Sequence, residues 1–129
     1  MSLARTACDD CAVRPTLLIV DDHEAFRASA RALFEAEGFD VVGEAGNGDE
    51  AMRAVARLRP QIVLLDIQLP GADGIEVAAR LAGSDDPPAV VLISSRDASA
   101  YGARLRESSA RGFIPKSRLS GEALTAVVG

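Results

Sequence analysis

"IVLLDIQLPGADG", residues 62–74, joins two features that conflict. Four large apolar residues, Ile62 to Leu65, run straight into Asp66. A run apolar at every position, rather than every second one, suits a parallel strand covered on both faces. A carboxylate at the end of such a strand must be paired, metal-bound or neutralised, because burying a lone charge is costly. The residues that follow, Gln68, Pro70 and Gly71, make a loop rather than a helix, so helix capping does not explain Asp66.

Outward from this stretch the same unit recurs. Continuous apolar runs stand at "TLLIV" (16–20), "DVVGEA" (40–45), "QIVLL" (61–65), "AVVLI" (89–93) and "GFIP" (112–115). Helical patterns separate them. Phe26, Ala30, Leu33 and Phe34 share one face of a segment that stops at Gly38. Asn47 with Glu50 reads as a cap for a second helix, whose inward face is Met52, Val55 and Ala56. Asp73 with Glu76 caps a third, with Ile75, Ala78, Ala79 and Ala82 inward and Gly83 at its end. The fourth, around 97–107, has only a thin stripe of Ala98, Tyr101 and Leu105, broken by Gly102; a fifth, from about Leu119, buries Leu124, Val127 and Val128. Five strands alternating with five helices, strand first, predict an α/β domain with a parallel sheet and right-handed crossovers.

At 129 residues the chain has the length of one domain, and no apolar run reaches the roughly 18 residues of a membrane span. Residues 1–14 lack the apolar core of a signal peptide and read as a flexible tail ahead of a domain over 15–129, with the cytoplasm as the default location. Cys8 and Cys11 lie in that tail without a second ligand pair for zinc. A net charge of −5 without a basic stripe argues against nucleic-acid binding by this domain.

The polar residues fall just after the strands: Asp21 and Asp22 after the first, Asp66 after the third, Ser94 and Ser95 after the fourth, Lys116 after the fifth. In a parallel sheet these positions share the carboxyl edge, where ligands of open α/β folds bind. Singly each has a plain explanation as a cap, a loop hydrogen bond or a solvated lysine; jointly they describe a site. Two carboxylates about 4 Å apart repel by roughly 4 kcal/mol at an effective dielectric of about 20, and one lysine does not offset three of them. A hard divalent ion such as Mg²⁺ does. A carboxylate beside such an ion, with a hydroxyl and an ammonium, has the parts to accept a phosphoryl group.

From Thr16 to Val128 the chain resembles the receiver domain of two-component response regulators. "VDDHEAFR" (20–27), "LLDIQLPGADGIEV" (64–77), "VLISS" (91–95) and "GFIPKS" (112–117) carry the resemblance, and "GFIPKSRLSGEAL" leans toward the class with LuxR-type DNA-binding outputs. The resemblance implies a flavodoxin-like (βα)5 doubly wound sheet of order 2-1-3-4-5. It implies that Asp66 is the phosphoacceptor for a sensor histidine kinase. Asp22, Asp66, the Gln68 carbonyl and, largely through water, Asp21 would hold Mg²⁺. Ser94, Lys116 and Phe113 would be the switch hydroxyl, the conserved-type lysine and the switch aromatic, and Gly74 matches the family's loop glycine. His23 reads as a first-turn helix residue, not a ligand. Phe113 departs from the commoner tyrosine and cannot donate a hydrogen bond; Gln68 and Arg96 occupy positions that influence phosphate lifetime.

The function so implied is a signalling domain that catalyses only its own phosphorylation and dephosphorylation and switches a face made by helix four, strand five and helix five. It would be the regulatory part of a transcription regulator, a candidate dimer, reaching DNA only through an output domain and no membrane. The alternative is a pseudo-receiver, a protein-binding module that accepts no phosphate. A haloacid-dehalogenase-type phosphatase would carry an aspartate where Gln68 stands, and "GEAGNGDE" (43–50) is no dinucleotide fingerprint.

Overall fold

The computed structural model describes residues 14–129. Apart from Arg14, the residues assigned to the tail, with Cys8 and Cys11, lie outside them. Five strands, β1 (Thr16–Val20), β2 (Asp40–Ala45), β3 (Ile62–Asp66), β4 (Ala89–Ser94) and β5 (Gly112–Pro115), match the apolar runs to within a residue. They pair in parallel in the order 2-1-3-4-5, as the resemblance implies. A two-residue antiparallel ribbon, Gln68–Leu69 with Ala72–Asp73, closes the loop after β3.

Helices α1 (Glu24–Ala36), α2 (Gly48–Leu58), α3 (Gly74–Ala82), α4 (Ala103–Arg106) and α5 (Gly121–Val128) complete the alternation. Successive side chains of a strand point to opposite faces, so each continuous run feeds two cores. Leu17, Ile19, Leu64 and Ile93 meet Phe34 of α1 and Leu124 of α5 on one side. On the other, Leu18, Leu65 and Leu92 meet Ala51 of α2 and Val77 and Leu81 of α3. The central strands are sealed on both faces, and the carboxyl edge of the sheet is where polar groups gather.

The caps act as their sequences suggest. Asn47 accepts the Glu50 N–H at 2.9 Å while the Glu50 carboxylate accepts the Gly46 N–H at 2.8 Å, and Asp73 accepts the Ile75 N–H at 2.8 Å. The inward faces of two helices need correction. In α2 the buried positions are Gly48, Ala51, Ala54 and Val55, with Met52 partly buried and Ala56 exposed. In α3 they are Gly74, Val77, Ala78 and Leu81, with Ile75 partly buried and Ala79 and Ala82 exposed. Alanine is small enough to serve either face, so the larger Val77 and Leu81 set the rotation. Gly74 fixes it further: a Cβ there would lie 2.2 Å from the Asp66 carbonyl oxygen, so only glycine lets α3 start this close to β3.

The thin stripe of the fourth segment produces little helix. A 3-10 turn at Ala98–Ala100 is followed by Gly102 at φ +56° and by α4, a single turn, and neither helical piece contains a buried residue. The last helix starts later than expected. Lys116–Arg118 form a 3-10 turn, and α5 begins at Gly121 because Ser120 accepts the Ala123 N–H at 3.0 Å.

Candidate functional site

Asp21 continues the β1 ladder one residue past the strand, its N–H donating to the Ala45 carbonyl at 3.0 Å. This places its side chain inside the sheet edge with no exposed surface. Asp66, the last residue of β3, is 3% exposed, and its Oδ1 accepts the Gln68 N–H at 3.2 Å. Lys116 enters from beyond β5 and bridges the two: its Nζ is 2.5 Å from Asp21 Oδ2 and 3.4 Å from Asp66 Oδ2. The ammonium also lies 4.3 Å from the centroid of the Phe26 ring, a cation–π contact that steadies it from the α1 side. The strand ends thus deliver Asp21, Asp66 and Lys116 to one point, as their spacing predicts.

The unequal distances decide where charge resides. Burial alone would raise Asp21, but the Lys116 hydrogen bond, the His23 N–H at 2.8 Å and the Lys116 charge outweigh it and hold Asp21 below the usual carboxylate range. Burial dominates at Asp66, and the neighbouring Asp21 charge adds to it; the more distant Lys116 offsets only part, leaving the carboxyl raised from 3.8 to about 6. Burial would lower Lys116, yet its bond to Asp21 and its attraction to both aspartates hold it above the ordinary lysine value. Asp66 is the carboxylate that the fold compensates least.

Asp22 is exposed beside this pair, and His23 is the residue that precedes α1. Its Nδ1 lies 3.1 Å from Asp21 Oδ1 and 3.1 Å from Asp22 Oδ1. Asp21, Asp22, His23 and Asp66 each present one ligand atom within 4.8 Å of the others. Three carboxylates dominate this set, and hard oxygen donors of this kind fit Mg²⁺. The reading of His23 as a plain first-turn residue is therefore incomplete, since its ring faces the carboxylates.

Ser94 is fully buried, whereas Ser95 is exposed. The Ser94 hydroxyl accepts the Arg96 N–H at 3.0 Å and lies 2.6 Å from the Tyr101 hydroxyl. Phe113 on β5 is partly buried, its ring centroid 6.3 Å from that of Tyr101. The sequence marks Tyr101 only as a residue of the thin apolar stripe. Its place as the sole tyrosine of the chain, in a segment too weakly apolar for a helix, is the one signal that could have singled it out. Arg27 was also missed: its guanidinium donates to the Asp21 carbonyl at 2.6 Å and pairs with Glu44 at 3.0 Å, bracing the β1 end.

The model of the family described as response regulator receiver domain matches residues 17–128. The positive alginate biosynthesis regulatory protein of Pseudomonas aeruginosa is 42% identical over 102 residues, covering 78% of this chain and 40% of that protein. The response regulator GacA of the same organism is 33% identical over 101 residues, covering 78% of this chain and 47% of GacA. A LuxR-family two-component response regulator from Aurantimonas superposes with a TM-score of 0.79 at 31% identity, over 88% of this chain and 82% of that one. The chain spans about half the length of the curated relatives it matches.

Proposed function

Because the chain belongs to the response regulator receiver domain family, we propose that it takes a phosphoryl group from a sensor histidine kinase onto Asp66. The observation that carries this is the buried Asp66 carboxylate, held 3.4 Å from the Lys116 ammonium and grouped with Asp21, Asp22 and His23. An Asp66 oxygen attacks phosphorus in line; the P–O bond forms as the P–N bond to the donor imidazole breaks, and the electron pair leaves with that nitrogen. Lys116, already bridging Asp21 and Asp66, is placed to neutralise a phosphoryl oxygen. The Ser94 hydroxyl is the donor available from β4, and Phe113 the aromatic available from β5. Asp21, Asp22, Asp66 and the Gln68 carbonyl would hold Mg²⁺, which when bound supplies positive charge opposite the transferring oxygens. Hydrolysis of the aspartyl phosphate by water resets the domain, so the only chemistry is on itself.

Residues 15–129 act on this reading as a cytoplasmic signalling unit whose α4–β5–α5 face changes with phosphorylation. Among the described residues no helix is long and apolar enough to cross a membrane. Relatives named as transcription regulators support an output on DNA through a region other than this domain. Intact-protein mass after incubation with acetyl phosphate and Mg²⁺ tests the reading. One added phosphoryl group is expected, absent in Asp66→Asn and in EDTA. No added mass, together with no binding of beryllium fluoride, would leave a pseudo-receiver.

A further inference from the structure

Ser94 is fully buried and has two hydrogen-bond partners, the Arg96 N–H at 3.0 Å and the Tyr101 hydroxyl at 2.6 Å. The N–H can only donate, so it occupies one lone pair of the Ser94 oxygen. Whichever way the proton lies, the short contact with Tyr101 fixes that oxygen on the side of residues 97–107. On the phosphoacceptor reading above, on which this inference rests, the Ser94 hydroxyl must turn to donate to a phosphoryl oxygen on Asp66. Rotation of the side chain to do so carries its oxygen away from the Tyr101 hydroxyl and breaks that hydrogen bond. Phe113 has no hydroxyl, so Tyr101 supplies the only polar group of the aromatic pair beside Ser94.

We infer that Tyr101 is a positioning residue for the switch: its hydroxyl holds Ser94 in the resting position, and departure of Ser94 toward the phosphoryl group releases the 97–107 segment. That segment is poorly tied otherwise. Its 3-10 turn and single helical turn bury no residue, Gly102 sits at φ +56°, and its other side-chain ties are an exposed Arg104–Asp73 ion pair and the partly buried Tyr101 and Leu105 against the core. Losing the Ser94 bond therefore loosens a segment that has few other ties.

The bond exists only in the resting state, so it opposes binding of a phosphoryl mimic by its own net worth. Removing it strengthens that binding by roughly five-fold, the equivalent of one net hydrogen bond of about 1 kcal/mol. In Tyr101→Phe the buried Ser94 hydroxyl also loses a partner in the resting state alone, which acts in the same direction.

The test is a calorimetric titration of the wild type and Tyr101→Phe with beryllium fluoride in Mg²⁺, beside intact-mass detection of acetyl phosphate modification. The chain has one tyrosine and no tryptophan, so tyrosine emission reports on Tyr101 without labelling. Expected are modification of both proteins, changed emission in the wild type on binding, and roughly five-fold tighter binding by the variant. Unchanged or weaker binding by a folded variant, with modification intact, overturns the role of Tyr101 and leaves the phosphoacceptor reading standing. Absence of both modification and beryllium fluoride binding overturns that reading and this inference with it. Should Tyr101→Phe fail to fold, wild-type emission decides: no change on beryllium fluoride binding overturns the inference.

Discussion

Replacing Asp66 with asparagine removes the charge that the fold compensates least, and the metal-free protein should become more stable near pH 7. The Asp66 carboxyl is raised from 3.8 to about 6 because burial and the Asp21 charge outweigh the Lys116 ammonium 3.4 Å away. Below pH 4 the group is protonated in both the folded and unfolded chain and costs nothing. As pH rises from about 4 to 6, the unfolded chain loses the proton first, so the folded state is progressively penalised. Above pH 6 both are ionised and the penalty is constant, about 3 kcal/mol at roughly 1.4 kcal/mol per tenfold. Asparagine keeps an acceptor for the Gln68 N–H, now 3.2 Å from Asp66 Oδ1, but its amide NH2 then replaces the Oδ2 that faces the Lys116 ammonium at 3.4 Å, which returns part of the gain. Allowing for relaxation, a gain of about 1–3 kcal/mol is expected, which moves a urea midpoint upward by roughly half to one and a half molar. Urea unfolding of both proteins in EDTA should show a gap that grows between pH 4 and 6 and is flat above. Mg²⁺ should narrow that gap, because it stabilises the wild type by binding the native carboxylates. An Asp66→Asn variant no more stable than wild type at pH 7, or a gap independent of pH, would refute the reasoning.

Lys116→Met leaves the fully buried Asp21 without its 2.5 Å partner, and a loss of about 3–5 kcal/mol is expected in urea unfolding near pH 7. Adding Asp66→Asn should return part of it, since one of the uncompensated charges is then gone; simple additivity of the two changes would contradict the shared ammonium. Gly74→Ala forces a Cβ to within 2.2 Å of the Asp66 carbonyl oxygen and should lower the thermal midpoint well beyond the effect of Gly83→Ala, whose Cβ meets nothing closer than 3.5 Å.

Much of the architecture was legible in the chain. A run such as Ile62–Leu65 is apolar at every position, which suits a strand covered on both faces, and five of them punctuated by capped helical patterns leave few topologies. The site residues were legible for a related reason: Asp21, Asp66, Ser94 and Lys116 each stand within a residue of a strand's end, and parallel strands bring those ends to one edge. Helix rotation was not. Alanine-rich α2 and α3 offer two plausible stripes, and the choice fell to Val77, Leu81 and the contact of Gly74 with the Asp66 carbonyl. Nor could sequence apportion charge. That Lys116 lies closer to Asp21 than to Asp66, leaving Asp66 the raised carboxyl, follows from distances of 2.5 and 3.4 Å set by packing. The contact of Tyr101 with Ser94 is of the same kind. It joins two residues seven apart across an irregular turn, where no periodicity operates, so tertiary structure alone decided it.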